Sequence, residues 1–219
     1  MIGPRQSKSD KKFDMISIVK LGGSAVTMKD VYETLNSEML SQFVHDVRDA
    51  LTKRPGLGLV IVHGAGSFGH FDAKQYGLRD GGSNERDNQW RKGFARTRAS
   101  VVKLNGLIVQ ALVKGDVPAV AVPCFPLTKA AQRGTNVHVQ GTLGSIREIL
   151  DHGLVPVLHG DVVFTDDTSP CTILSGDVLM HELCTSSELR LCLRDSHRIS
   201  ATFLTDVPGI FNKSPKIYM

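Results

Sequence analysis

Apolar residues along this chain follow two alternating rhythms. Short continuous runs, Met15–Lys20, Leu59–Val62, Val117–Val122, Leu154–Leu158 and Ile199–Leu204, read as strands buried in a sheet. Between them apolar residues recur at helical spacing. Tyr32, Leu35, Met39, Phe43, Val47 and Leu51 form one stripe, which Pro55-Gly56 ends. Trp90, Phe94, Val101, Leu104, Ile108 and Ala111 form a longer one. Ile146, Ile149 and Leu150 mark a short helix stopped by Gly153, and Ser175 can cap another that carries Val178, Leu179 and Leu183. Residues 73–91 read as an ordered loop or lid, and residues 123–141 as irregular and rich in turn formers. Strand and helix alternate, so the pattern predicts an α/β fold: a mostly parallel central sheet with helices on both faces. Ligands of such sheets bind beyond the carboxyl ends of the strands. The segments there are 20–24, 63–70, 159–161 and 205–209.

Composition narrows the classes. The chain has 219 residues, enough for one sizeable domain. A net charge of +4 suits anionic small molecules and falls short of the clustered basic face of a nucleic-acid binder. No apolar run approaches the ~18 residues of a membrane span. The first residues, MIGPRQSKSDKK, lack the apolar core of a signal peptide, so residues 1–14 are expected to be a disordered tail before a single domain over 15–219. Cys124, Cys171, Cys184 and Cys192 have neither metal-knuckle nor C-x-x-C spacing, and read as reduced thiols of a cytoplasmic protein.

Chemistry concentrates at the strand ends. Lys20-Leu21-Gly22-Gly23-Ser24 offers successive N–H groups to one anion beside a lysine charge, with Lys29 close behind. His63-Gly64-Ala65-Gly66-Ser67-Phe68-Gly69-His70 has three glycines and a closing histidine. It also spells G-x-G-x-x-G. A dinucleotide fingerprint, however, needs an acidic residue at the end of a strand some 20 residues on, and residues 79–87 follow no strand. The chain has no P-loop motif. Ser175-Gly176-Asp177 places a carboxylate at a helix start, where it either compensates the helix dipole or holds lysines over a phosphate. Two glycine nests facing each other suit phosphoryl transfer between two phosphorylated ligands. His70 is the only evident base among these loops. An acceptor phosphate needs none, because its second pKa near ~6 leaves it largely dianionic at neutral pH.

KLGGS at 20–24, HGAGSFGH at 63–70, GLVPVLHGDVV at 153–163, ILSGD at 173–177 and TDVPGIF at 205–211 together resemble the isopentenyl phosphate kinase branch of the amino acid kinase superfamily. The resemblance implies transfer of the γ-phosphoryl group of ATP to isopentenyl phosphate, with Mg²⁺ held mainly by ATP oxygens and water. It implies ATP contacts from Lys20, Leu21, Gly22, Gly23, Ser24, Gly66, Asp206 and Gly209. It implies acceptor contacts from Ala65, Gly69, His70 and Gly176. Lys20, Lys29, His70 and Asp177 would be the catalytic set, with Asp177 orienting the lysines, and no protein metal site is implied. A homodimer without nucleic-acid or membrane partners is expected. The family continues with a D-V-T-G-G-type motif and a further lysine, whereas this chain ends Lys213-Ser214-Pro215-Lys216-Ile217-Tyr218-Met219. The expectation is therefore a C-terminally truncated domain, active on isopentenyl phosphate or reduced to binding phosphates or pairing with full-length subunits. A kinase for another small phosphate or phosphonate is the remaining alternative.

Overall fold

The computed structural model describes residues 13–80, 89–131, 136–138, 140–165 and 169–206. In chain order the elements are β1 (Phe13–Leu21), α1 (Gly23–Val26), α2 (Ser37–Lys53), β2 (Leu57–His63), α3 (Gly66–Gln75), a 3-10 turn (Leu78–Asp80), α4 (Gln89–Lys114), β3 (Ala119–Ala121), β4 (Lys129–Ala131), β5 (Asn136–His138), α5 (Gln140–Asp151), β6 (Val155–His159), β7 (Asp161–Phe164), β8 (Cys171–Leu174), α6 (Gly176–Thr185), α7 (Ser187–Arg190) and β9 (Leu193–Leu204).

Five strands form the central sheet in the order β3-β6-β2-β1-β9, every neighbouring pair parallel. Period-two alternation along the strands sorts the core into two layers. Ile16, Ile18, Val60, Val62 and Leu158 pack against α5, α6 and α7 through Ile146, Leu150, Leu179, Met180, Leu183 and Leu189. Leu21, Leu59, Ile61, Val155 and Val157 pack on the other face against α2 and α4 through Leu40, Phe43, Val47, Leu104, Ile108 and Leu112. Helices therefore cover both faces, as expected. Each such fully buried side chain contributes about 1.5–3 kcal/mol. The same parity aims the polar residues at the strand ends: Lys20 continues the Ile16–Ile18 face toward α6, and His63 continues the Leu59–Ile61 face toward α4.

Several boundaries differ from the periodic reading. β1 starts at Phe13, so the last two residues expected in the tail are strand; residues 1–12 lie outside the described residues. Tyr32 and Leu35 precede α2, because the Asn36 side chain caps that helix by accepting from the Met39 N–H at 3.2 Å and Glu33 has φ +48°. Most of the segment 63–70 is not loop: α3 starts at Gly66, directly after the turn at Gly64 and Ala65. Of the expected lid, residues 73–75 belong to α3 and residues 89–91 to α4, whereas 81–88 lie outside the described residues. The short antiparallel pairs β4–β5 and β7–β8 were hidden in stretches without clear alternation. Ser175 caps α6 as expected, accepting from the Val178 N–H at 3.2 Å, and Gly153 (φ +74°) follows α5. The four cysteines are free thiols; burial pushes Cys124 up to about 12 and Cys171 up to about 11.

Candidate functional site

The carboxyl ends of β9, β1, β2 and β6 converge on one rim with the start of α6. Backbone contact holds the rim together. A Cβ on Gly23 would stand 2.3 Å from the Gly66 nitrogen, and one on Gly64 would stand 2.6 Å from the Gly23 nitrogen. The two glycine segments thus touch main chain to main chain, a packing that any side chain would block. Gly66 has φ +49°, and a Cβ there would also meet Thr27 Oγ1 at 2.3 Å. Thr27 closes the seam by donating to Gly23 O (2.7 Å) and accepting from the Ser67 N–H (2.9 Å). Gly22 N–H donates to Leu204 O at 2.8 Å, which fastens the first turn to β9.

Hydrogen-bond accounting shows what this seam offers a ligand. The N–H groups of Ala25, Val26 and Thr27 are taken by Gly22 O and Gly23 O; those of Phe68 and Gly69 by Ala65 O; that of Gly64 by Leu21 O. The N–H groups of Gly23, Ser24 and Ala65 have no acceptor among the described residues. Donors left open at two adjoining turns make an anion cradle. At the α6 start, Gly176 fits against Lys20: a Cβ there would lie 3.4 Å from Lys20 Cε. Lys20 Nζ donates to Asp177 Oδ1 at 2.6 Å. Asp177 is 68% exposed, so the pair adds no more than about 1 kcal/mol of stability and acts mainly by fixing the lysine head at the rim.

The structure thus brings together Lys20, Gly22, Gly23, Ser24, Ala65, Gly66, Gly176 and Asp177. Asp206 joins them from β9's end: Ser24 Oγ donates to its Oδ1 at 2.6 Å. That hydrogen bond, with help from Thr205 and the charge of Lys29, lowers the pKa of Asp206. Lys29 therefore lies near Asp206, while Asp177 has Lys20 as its partner. Leu21 is fully buried in the α2–α4 layer, so only its main chain can face a ligand. Gly69 is buried where a Cβ would strike Ala65 and Val101, and its N–H is already bonded, so its smallness serves the packing of α3 on α4. His70 is exposed on α3; desolvation by its surroundings and the charge of Arg79 lower its pKa. Gly209 lies outside the described residues.

Beneath the rim lies a polar cluster that the periodic reading did not single out. His63 and His159 are paired in register on β2 and β6, both buried, with rings stacked at 5.6 Å. His63 contacts Gly64 O through Nδ1 (2.9 Å) and Asn105 Nδ2 through Nε2 (3.1 Å). His159 Nδ1 lies 2.9 Å from Gly160 O and 3.9 Å from Asp161 Oδ2. Asp161 is paired with Arg98 of α4, whose guanidinium covers the Phe125 ring. Burial raises the pKa of Asp161, while His159, Arg98 and the Val162 N–H pull it back. The dipeptide His-Gly directly after an apolar strand run, at 63–64 and 159–160, was the available signal in the sequence; His152-Gly153 follows a helix instead.

Comparison with known proteins agrees with this architecture. The model of the amino acid kinase family matches residues 15–218. The isopentenyl phosphate kinase of Methanothermobacter thermautotrophicus is 36% identical over 91% of this chain and 70% of its own length. That of Arabidopsis thaliana is 33% identical over 90% of this chain. This chain spans 65% of the Arabidopsis protein, a little under two thirds. A solved isopentenyl phosphate kinase structure superposes with a TM-score of 0.78 at 34% identity, covering 93% of this chain and 78% of the other. A Thermoplasma acidophilum isopentenyl phosphate kinase product complex superposes at 0.69 with 28% identity, covering 93% and 75%. The chain belongs to the amino acid kinase family, among its isopentenyl phosphate kinases.

Proposed function

We propose that this chain transfers the γ-phosphoryl group of ATP to isopentenyl phosphate, giving ADP and isopentenyl diphosphate. The observation that carries the reading is the pair of touching turns, with the Gly23 and Ser24 N–H groups open on one side and that of Ala65 on the other, beside Lys20 at the same rim. The bond between the β,γ-bridging oxygen and the γ-phosphorus breaks, and an oxygen of the acceptor phosphate bonds to that phosphorus. The acceptor is largely dianionic at neutral pH, so the barrier is repulsion between anions. Open N–H groups and a lysine are suited to relieving it. Lys20, the Gly22–Ser24 turn, Gly66 and Asp206 would hold the nucleotide; Ala65, His70 and Gly176 the acceptor. Lys29 would neutralise charge from the Asp206 side.

Mg²⁺ would ride on nucleotide oxygens and water, where it neutralises phosphate charge. The aromatic group Phe94, Phe125 and Phe164, with ring centroids 5.1–5.4 Å apart, offers an apolar surface for the isopentenyl tail, and Phe164 remains 43% exposed. Free thiols accord with a cytoplasmic home. Among the described residues no helix is long and apolar enough to cross a membrane. A homodimer follows from the family resemblance and is part of the proposal.

The test is ADP release from ATP and Mg²⁺ with isopentenyl phosphate, set beside fosfomycin. ADP with isopentenyl phosphate supports the reading. ADP with fosfomycin alone moves the chain to phosphonate phosphorylation. Binding of isopentenyl phosphate without ADP release reduces it to a phosphate-binding relative.

A further inference from the structure

We infer that His63 and Asn105, buried side chains outside the ligand rim, are positioning residues that aim the Ala65 N–H at the acceptor phosphate. The inference rests on the phosphate-binding reading above. The hydrogen bonds around the His63 ring admit one assignment. Asn105 Nδ2 stands 3.3 Å from the Val157 carbonyl oxygen, which can only accept. The Asn105 atom facing it must therefore be the amide NH₂. The second hydrogen of that NH₂ reaches His63 Nε2 at 3.1 Å, so Nε2 is the acceptor nitrogen. The proton of the neutral ring then resides on Nδ1, which donates to Gly64 O at 2.9 Å.

That last bond fixes a peptide plane. The Gly64–Ala65 peptide is trans, so its C=O and N–H point in opposite directions. Drawing the Gly64 carbonyl inward onto the buried ring turns the Ala65 N–H away from it. This N–H has no acceptor among the described residues. Gly64 has no side chain to steady the turn, so the imidazole supplies the missing constraint. Burial, reinforced by neighbouring His159, lowers the His63 pKa to about 3, which keeps the ring neutral and its tautomer constant at neutral pH. The parity of β2 is the sequence-level cause: a residue in step with Leu59 and Ile61 must face α4, where Asn105 lies.

The experiment uses the full chain, ¹⁵N-labelled, as wild type, His63→Phe and Asn105→Ala, titrated with isopentenyl phosphate. Its readouts are the Ala65 amide shift and the dissociation constant. Phe keeps the ring and removes the donor; Ala at 105 keeps the imidazole and frees its tautomer. The expected result is a downfield Ala65 shift in wild type that is lost in His63→Phe, with affinity weakened ~10-fold, on the scale of one charge-assisted hydrogen bond. Asn105→Ala should give a smaller loss of ~3-fold and a reduced shift. If His63→Phe does not fold, Asn105→Ala carries the test with the same readouts. Wild-type shift and affinity in the variants would overturn the positioning role and leave the phosphate cradle standing. Absence of binding by wild-type protein would overturn both.

Discussion

The two ends of the central sheet differ in kind. At the amino ends of the strands a cleft of about 340 Å³ is lined by Phe13, Arg48, Leu57, Pro118 and Val155. It is roomy enough for a small ligand, yet the helix ends that line it, at Arg54, Asp116 and Gly153, are the carboxyl ends of α2, α4 and α5, and none of its lining residues begins a helix. The carboxyl ends form an open rim where main chains touch, a lysine is held at 2.6 Å by a carboxylate, and several N–H groups lack acceptors among the described residues. Volume marks one end and unsatisfied donors mark the other. In a parallel sheet the donors are the better guide, because an unbonded N–H costs free energy until a ligand or water accepts from it.

The strongest way to break this contrast is to spoil the seam. Gly23→Ala puts a methyl group 2.3 Å from the Gly66 nitrogen, and that neighbour is main chain, which cannot swing aside. Loss of nucleotide binding by calorimetry is expected, with destabilisation of ~1–3 kcal/mol, the usual cost of overpacking. Wild-type binding by this variant would mean that the turns do not form the site. Next in size is Lys20→Ala. Its charge matters most while the phosphoryl group is in flight, so kcat should fall ~10²-fold or more while the acceptor KM changes little. Steady-state kinetics decide it; a change confined to KM would make Lys20 a ground-state binder only.

The difference between the two ends also explains what the sequence could show. Strand parity and helix stripes exposed the layers, because Ile16 and Ile18 against Leu59 and Ile61 are long-range consequences of a local period. The rim was legible because glycines cluster after strands. Tyr32 was misplaced into α2 because its spacing is helical, whereas its hydroxyl bonds Asp72 at 2.8 Å and a left-handed Glu33 intervenes. Gly69 reads as a ligand residue from its motif, whereas its tight packing beside Ala65 and Val101 is set by the fold and has no local signature. The His63–Asn105 link joins residues 42 apart, and no local pattern encodes that meeting.

A third, smaller effect separates rim from support through pH. The His63 pKa is about 3 in the folded protein against an ordinary 6.5. The unfolded chain therefore takes up a proton that the folded one refuses as pH falls below 6.5. The stability conferred by this neutral ring is complete above pH 6.5 and is lost as pH falls toward 3, at up to ~1.4 kcal/mol per unit. Urea denaturation at pH 7 and pH 5 should show a steeper loss in wild type than in His63→Phe, by ~1–2 kcal/mol. Parallel losses would mean that His63 is already charged inside the fold.

The smallest expected effect tests the amino end. Arg48 is exposed on α2 and lines the cleft without joining any ion pair found among the described residues. Arg48→Ala removes one of the two arginines of that wall, the other being Arg54, and leaves the α2 core stripe of Leu40, Phe43 and Val47 untouched. Surface substitutions of this kind stay within about 0.5 kcal/mol. Phosphate affinity and turnover should therefore remain within ~2-fold of wild type, since 1.4 kcal/mol would be needed for a tenfold change. A larger loss would show that the cleft and the rim are coupled across the sheet, and the carboxyl end could no longer be treated as the sole seat of the chemistry.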